Sequence, residues 1–496
     1  MPRAVQTRPY ETDVFTRLGV VPRESICAIV FALGAGLLCA PSVAQNQTSS
    51  PATATPAPTV QLPTGGQVSA GQATISQSGN TLNINQTSPK AVVDWGSFNL
   101  SKDATVNFQQ PNAQSATLNR VNDTQPSQIL GRITAPGQVI LVNPQGVYFG
   151  KSASVDVGGL VASTHDAVNK EFMEGQIKLS RNGATGKVEN EGELRAALGG
   201  YIALLAPEVR NQGVIVAQAG TVALASGEAI TLNFNAGGTG LAGITTTPQA
   251  IAALVDNRSA VLAESGQIIL SAHALATLQG AVVKNSGQLS ATSLSEKGGK
   301  IVLMADSITL AGTSQITANG PQGGGAVLVG GDWQGSGDTR QATQVTMAQG
   351  ASIEANASSQ GDGGKVVLWS DVHNTNSVTQ VNGRIDAKGA GAGSGGQVET
   401  SGYTLKLGDS VRVNTLSPQG PSGHWLLDPK DFTVAASGGD MTGSTLTNNL
   451  LGGAVTIAST SGATDSTTAG SIFINDTVSW VANTLTLNAQ NNVTIS

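Results

Sequence analysis

After Cys39 this 496-residue chain contains no cysteine, and Cys27 is the only other one. A disulfide scaffold and a thiolate metal site are therefore excluded for everything beyond the N-terminal segment. Charge is scarce, at 12% Asp, Glu, Lys and Arg, and aromatic residues make up only 4%. The net charge is −6, and removing residues 1–44 takes away four basic and three acidic side chains and leaves the balance acidic. Such a balance argues against nucleic acid or an anionic membrane surface as the main partner. No apolar run approaches the roughly 20 residues that a membrane-spanning helix needs. No segment keeps a helical period of apolar residues, apart from a weak candidate for a helical turn around Val168–Ile177.

Catalytic chemistry is equally thin. Hydrolases and lyases acting on polysaccharides need carboxylates clustered on one face. Asp306, Asp332, Asp338, Asp362, Asp371 and Asp386 are instead spread along the chain, with no adjacent pair and no Asp-x-Asp. His165, His273, His373 and His424 have no metal-ligand spacing. Gly391-Ala392-Gly393-Ser394-Gly395-Gly396 spells a dinucleotide fingerprint in a Gly/Ala loop with no helix after it, and composition accounts for it. Neither a cofactor, a metal nor an enzymatic activity is expected. Asn85, Asn122 and Asn257 open Asn-x-Ser/Thr triplets, as a sequence rich in those residues must often do.

The clearest local signal among the residues that are present lies at the N-terminus. Arg3, Arg8, Arg17 and Arg23 precede the apolar run Ile26–Leu38, and Pro41-Ser42-Val43-Ala44 supplies the small residues of a cleavage site. An extended signal peptide over residues 1–44 is predicted, processed after Ala44 by signal peptidase once the Sec machinery has engaged it. Leu38, before Cys39, is too large for a lipoprotein signal. Residues 45–64 are Pro, Thr, Ala and Ser with little to bury, which describes an extended linker.

From Gly65 onward the pattern is one of short strands and turns. Alternations such as Ala73-Thr74-Ile75 and Leu82-Asn83-Ile84 are separated by Gly, Asn and Asp, and the chain has 62 glycines to make such turns. Two phrases recur. One is Val188-Glu189-Asn190-Glu191-Gly192, seen again at Val209-Arg210-Asn211-Gln212-Gly213 and Val283-Lys284-Asn285-Ser286-Gly287. The other is Gly-x-apolar-x-apolar, opening at Gly200, Gly220, Gly266, Gly299, Gly325 and Gly364. Short strands and glycine turns recurring about every 20 residues describe a solenoid. The fold class expected is all-β, a right-handed parallel β-helix of roughly twenty coils, with small apolar side chains filling a slim core. Asn at the turns tolerates left-handed backbone and can form side-chain ladders between coils.

Residues 92–164 carry a more specific signal. Val93-Asp94-Trp95-Gly96-Ser97-Phe98-Asn99-Leu100, Ala104-Thr105-Val106-Asn107-Phe108-Gln109-Gln110-Pro111, Ala116-Thr117-Leu118-Asn119-Arg120-Val121, Ile129-Leu130-Gly131-Arg132-Ile133 and Gly137 to Gly150 follow in order. With Gly158 to Thr164, this succession resembles the secretion domain of two-partner secretion exoproteins, the filamentous-haemagglutinin and high-molecular-weight adhesin group, over about residues 65–300. The resemblance implies a β-helix with an N-terminal cap. It also implies recognition in an unfolded state by the periplasmic POTRA domains of a TpsB-type outer-membrane barrel, and folding outside a Gram-negative cell. The family motif Asn-Pro-Asn-Gly-Ile is matched by Asn143-Pro144-Gln145-Gly146-Val147, with Gln and Val as departures. The family's other motif, Asn-Pro-Asn-Leu, has no clean match, and Pro111, Asn119 and Arg120 are the candidates in its region. Pro144 and Gly146 are also what a tight turn between Val139–Val142 and Val147–Phe149 requires, so a folding role and a partner-contact role both stand open. Arg120 is expected at the surface.

A second resemblance lies in Gly396-Gln397-Val398-Glu399-Thr400-Ser401-Gly402 followed by Gly423-His424-Trp425-Leu426-Leu427-Asp428-Pro429. It looks like the segment closing the first β-helix of large exoproteins of haem utilisation or adhesion. The organisation expected is therefore a secretion domain at 65–300, a β-helix continuation at 301–434, and at 435–496 the start of a further repeat region that breaks off in a strand. The function expected is that of a secreted surface adhesin or exoprotein with a ligand on a host or neighbouring cell. The alternatives are a carbohydrate-active β-helix enzyme and a haem-utilisation exoprotein, for which His373 and Tyr403 are isolated candidates.

Overall fold

A computed structural model of the chain describes residues 60–275, 280–337, 339–459 and 469–496. The expected signal peptide, its cleavage position at Ala44 and most of the linker lie outside the described residues. The rest is a stack of coils, each contributing short strands to three parallel faces. Glu193–Leu205 turns the first corner inside one strand. Its first half pairs with Val214–Val216, and its second half with Thr221–Ser226. Glu208–Asn211 then continues on the third face, between Lys187–Asn190 and Ala253–Asn257.

The two recurring phrases are two of these faces. Gly-x-apolar-x-apolar is the second face, where Ile202 and Leu204, Val222 and Leu224, Ile268 and Leu270, Ile301 and Leu303 all point inward and are fully buried. Each buried Leu or Ile contributes about 2–3 kcal/mol of hydrophobic stabilisation. The leading glycine is required by the stacking itself: a Cβ on Gly220, Gly266, Gly299, Gly325 or Gly364 would sit 2.0–2.1 Å from the carbonyl oxygen of the glycine one coil before. The Val-x-Asn phrase is the third face. Its asparagines form a buried ladder in which Nδ2 of Asn190 donates to Oδ1 of Asn211, Asn211 to Asn257, and Asn257 to Asn285, each at 2.8 Å. Asn285 ends it on the Ser314 hydroxyl at 2.6 Å.

The coils are longer and fewer than the sequence period suggests. Successive ladder asparagines lie 21, 46 and 28 residues apart. The third face has 10 strands, continued by a separate 3-stranded sheet, rather than the roughly twenty coils expected. Loops that leave the coil account for the longest spacing, while the 28 residues between Asn257 and Asn285 show that a coil with no such excursion among the described residues is itself longer than the sequence period. The strands Asp166–Ala167, Ile177–Ser180, Ala229–Phe234 and Leu241–Thr246 form an antiparallel sheet outside the helix, with the short helix α1 (Asn169–Glu174) where a helical turn was expected. This layer covers the outward side chains Ile140, Val142, Val161, Tyr201, Ala203 and Leu205 of the second face. A second excursion carries the 3-10 turn Trp333–Gly335 and covers Val302, Leu328, Val367 and Trp369.

The N-terminal end is closed as expected. Gln67–Ala70 runs antiparallel to Lys90–Trp95, and Ala73–Ser78 antiparallel to Thr81–Gln86. Antiparallel pairing there ends the stack without leaving an open parallel edge. The stack passes through residue 300 without a break, since Lys300–Met304 pairs with both Gln267–Ala272 and Ala326–Val329. Gln397–Gly402 and His424–Pro429, the two segments of the second resemblance, are neighbouring second-face strands, tied by Trp425 Nε1 donating to Thr400 Oγ1 at 3.1 Å. Beyond them, helix α2 (Gly443–Leu450) packs under the first-face strand Arg412–Asn414, where Asn449 Oδ1 accepts the Val413 amide. Among the described residues no helix is long and apolar enough to cross a membrane.

Candidate secretion-motif region

Asn143 follows the strand Arg132–Val142, and Gly146–Phe149 lies on the third face between Ser127–Ile129 and Lys187–Asn190. The Gly146 amide donates to the Asn143 carbonyl at 2.9 Å, which closes the turn. Gly146 has φ +129°, and a Cβ there would meet the Lys187 carbonyl at 2.8 Å. The Asn143 side chain is wholly buried. Its Oδ1 accepts the Gln145 amide at 2.9 Å, and its Nδ2 donates to the Gln125 carbonyl and the Ser127 hydroxyl, both at 3.0 Å. The Asn143 amide donates to the Ser163 carbonyl at 2.9 Å. One residue thus ties its own turn to the coil before and the coil after.

The departures from the family motif fall where the turn tolerates them. Gln145 is exposed and uses only its backbone here, so its side chain is free to vary. Val147 is 1% exposed in the core, where Val replaces another β-branched residue. Beside the turn, Gln145, Tyr148, Lys187 and Glu189 line a shallow groove of about 240 Å³. Lys187 pairs with Glu189 at 2.6 Å, and the Tyr148 hydroxyl donates to Glu191 at 2.9 Å. Partial burial and then the Glu191 carboxylate raise the Tyr148 pKa, so the phenol stays protonated.

Asn119 and Arg120 sit one strand away, opposite Leu141 and Val142. Asn119 points inward, fully buried, and accepts Trp95 Nε1 at 3.1 Å while its Nδ2 reaches the Thr117 and Ile140 carbonyls. It holds the largest core side chain of the cap in place. Arg120 points outward, but the surface position expected for it is not what is found. It pairs with Asp94 at 3.1 Å and Asp166 at 2.9 Å and donates to the Ala167 carbonyl and Asn169 Oδ1. The reason is the outer layer, which begins at Asp166 and lies over this corner. Burial alone would lower the Arg120 pKa; the Asp166 and Asp94 carboxylates outweigh it, and the net shift is upward. Pro111 is exposed at the opposite end of the same strand, in a loop held by Asn112 Oδ1 accepting the Gln114 and Ser115 amides at 3.0 Å. The structure therefore gathers Asn119, Arg120 and Asn143 at neighbouring positions and leaves Pro111 apart.

With this geometry in place, comparison with known proteins is direct. Residues 56–320 match the profile of the TPS secretion domain. The chain belongs to the TPS secretion domain family. It is 32% identical over 259 residues to a Heme/hemopexin-binding protein of Haemophilus influenzae strain Rd, covering 51% of this chain and 28% of that protein. A second Heme/hemopexin-binding protein of Haemophilus influenzae is 31% identical over 305 residues, covering 57% of this chain and 32% of that protein. The chain thus spans about a third of the length of these relatives. Its fold is similar to the crystal structure of the HMW1 secretion domain from Haemophilus influenzae, with TM-score 0.57 and 28% identity, over 74% of this chain and all of that domain. The two-partner secretion domain and the capped β-helix expected from the sequence are both confirmed.

The remaining candidates lie elsewhere and separately. Asp306 is paired with Arg340, Asp386 with Arg384, and Asp362 accepts the Ser394 amide; Asp338 lies outside the described residues. His165 is buried with Nε2 on the Gly227 carbonyl and Nδ1 beside the Thr164 hydroxyl, and burial holds its pKa below the usual imidazole value. His424 Nε2 meets Thr456 Oγ1 at 2.7 Å, while His373 is exposed. Asn257, which opens a glycosylation triplet, is committed to the buried ladder. Sequence reasoning missed Glu399. It stands fully buried on the outward side of the second face, in register with Val367 and Leu426. A carboxylate in an otherwise apolar row was the available signal.

Proposed function

We propose that residues 65–300 are the export module of a surface exoprotein, read in unfolded form by the POTRA domains of a TpsB-type barrel and folded outside a Gram-negative cell. The observation that carries this reading is the Asn143 side chain, buried and fully hydrogen-bonded in the folded coil. A partner that reads Asn143 must meet it before the coil closes, and afterwards the same residue stitches three coils together. Folding that consumes the recognition residue also makes export directional, since the folded stack cannot slip back. Sec export and cleavage after Ala44 would deliver the chain to the periplasm without any cysteine to cross-link there. The coils beyond 300 then present a binding surface to a host or neighbouring cell. Export of the full chain with and without the cognate barrel tests this: culture-medium protein should depend on the barrel, and equal release without it refutes the reading.

A haem or haem-protein ligand is the second reading, favoured by the names of the two Haemophilus relatives. His373 is the exposed imidazole available to it. Titration of the folded chain with hemin checks it through a Soret shift that His373→Ala removes.

A further inference from the structure

The second excursion is a short lid. Its residues 331–337 lie over the outer side of the second face, above Val302, Leu328, Val367 and Trp369. One edge is held by Trp369 Nε1 donating to Gln341 Oε1 at 2.9 Å, and by Arg340, which pairs with Asp306 and donates to the Ala272 carbonyl. The centre is held by Glu399. The Gln334 amide donates to Glu399 Oε2 at 2.8 Å, and Ser401 Oγ donates to Oε1 at 2.9 Å. The lid thus rests on a carboxyl that is sealed from solvent when the lid is down.

The charged groups around Glu399 do not compensate it. From the lid comes Asp332, whose own side chain caps the Trp333 amide. From the next strand comes Asp428, opposite Ser401 and itself buried. Lys365 and His424 both stand opposite Gln397, one outward position earlier. Lys365 lies 6.0 Å from the Trp333 ring centroid, and His424 is bonded to Thr456. Among the described residues no Lys or Arg forms an ion pair with Glu399.

We infer that segment 331–337 is a proton-controlled lid, closed while Glu399 is protonated and loosened when Glu399 ionises, uncovering the apolar strip of Val302, Leu328, Val367 and Trp369. An ionised Glu399 under the closed lid would be a desolvated anion facing two further carboxylates, whereas an open lid lets water solvate it. Desolvation outweighs the Gln334 and Ser401 hydrogen bonds, which favour the ionised carboxylate, and with smaller contributions from Asp428 and Asp332 the pKa is pushed up from 4.5 to about 7. The closed state therefore binds the proton more tightly than the open state. Closure is at full strength below the ordinary carboxylate range and weakens as pH rises toward about 7. It levels off above that, about a few hundredfold down in closing constant.

Hydrogen–deuterium exchange of the full chain, followed on peptides covering 331–337 from pH 5 to pH 9, reads this out. The ratio of wild-type to Glu399→Gln exchange in the same peptide cancels the intrinsic pH dependence of the chemistry. The ratio should climb at least tenfold between pH 5 and pH 8 and then flatten, while peptides over Ala281–Asn285 keep a constant ratio. A ratio that stays flat for the lid overturns the inference. Asp332→Asn keeps the cap on Trp333 and removes one facing charge, so it provides a second reading should Glu399→Gln fail to fold. Removing that charge lowers the Glu399 pKa under the closed lid, so the loosening of the lid with pH should be smaller than in wild type and should level off at a lower pH; an unchanged profile counts against the lid as described.

Discussion

Replacing Asn211 by Ala tests whether the third-face ladder stabilises the stack. Asn211 is fully buried, accepts from Asn190 Nδ2 and donates to Asn257 Oδ1, both at 2.8 Å. Alanine leaves one Asn190 N–H and the Asn257 Oδ1 without partners in a site closed to water. Each such orphan costs about 1–3 kcal/mol, and the vacated amide adds roughly 1 kcal/mol of lost packing, for a total of about 3–7 kcal/mol. The loss should be local because coils couple mainly to their nearest neighbours. Urea unfolding should show a lower midpoint, and hydrogen exchange should speed up in Lys187–Asn190 and Ala253–Asn257 but not in Thr404–Leu407, far along the same face. In the Asn190→Ala, Asn211→Ala double mutant the two changes should cost less together than their sum, because the bond between them is counted twice in the singles. A loss below about 1 kcal/mol with unchanged protection in both flanking strands would show that the ladder is only a by-product of stacking.

Other consequences are equally specific. Glu399→Gln should stabilise the chain at pH 8 by up to about 3 kcal/mol and have little effect at pH 4, since the raised pKa makes the native protein lose stability as pH climbs from 4.5 to about 7; urea midpoints at the two pH values measure it. Gly299→Ala, which drives a Cβ to 2.1 Å from the Gly266 carbonyl, should cost more than 2 kcal/mol in the same assay, about the level of a strained core substitution. Arg120→Ala strands the partly buried Asp94 and Asp166 and should raise exchange in Ile177–Ser180 of the outer layer, with Arg120→Lys restoring only part of the protection because one ammonium cannot make all four contacts. Gln145→Ala should leave export and stability near wild type, whereas Asn143→Ala should impair both; pulse-chase secretion and urea midpoints separate the two residues.

Much of this was readable from the residues. Inward positions on the second face repeat as Gly-x-apolar-x-apolar because each coil meets the same steric demand, and Asn recurs because each rung passes a hydrogen bond to the next. The coil length was not readable, since the stretches from 164 to 186 and from 227 to 252 fold as a separate antiparallel layer without disturbing register on the faces they leave. Counting phrases therefore overestimated the coils. Asn143, Pro144 and Gly146 announced a turn by conformational preference. That Asn143 would bridge three coils could not be seen, because Gln125, Ser127 and Ser163 are brought to it only by stacking. Arg120 misled for the same reason: its partner Asp166 is 46 residues away and belongs to the outer layer. Glu399 needed the register of the neighbouring strands before its surroundings could be recognised as apolar.

The central claim is that the secretion motif is legible only before the coil forms. Binding of the purified POTRA domains of the cognate barrel to the chain held unfolded in mild urea, and to the same chain after refolding, measures it directly. Binding to the unfolded chain that Asn143→Ala weakens, with little or none to the refolded chain, is the predicted result. Equal binding to the refolded coil, with Asn143 buried as described, would contradict it.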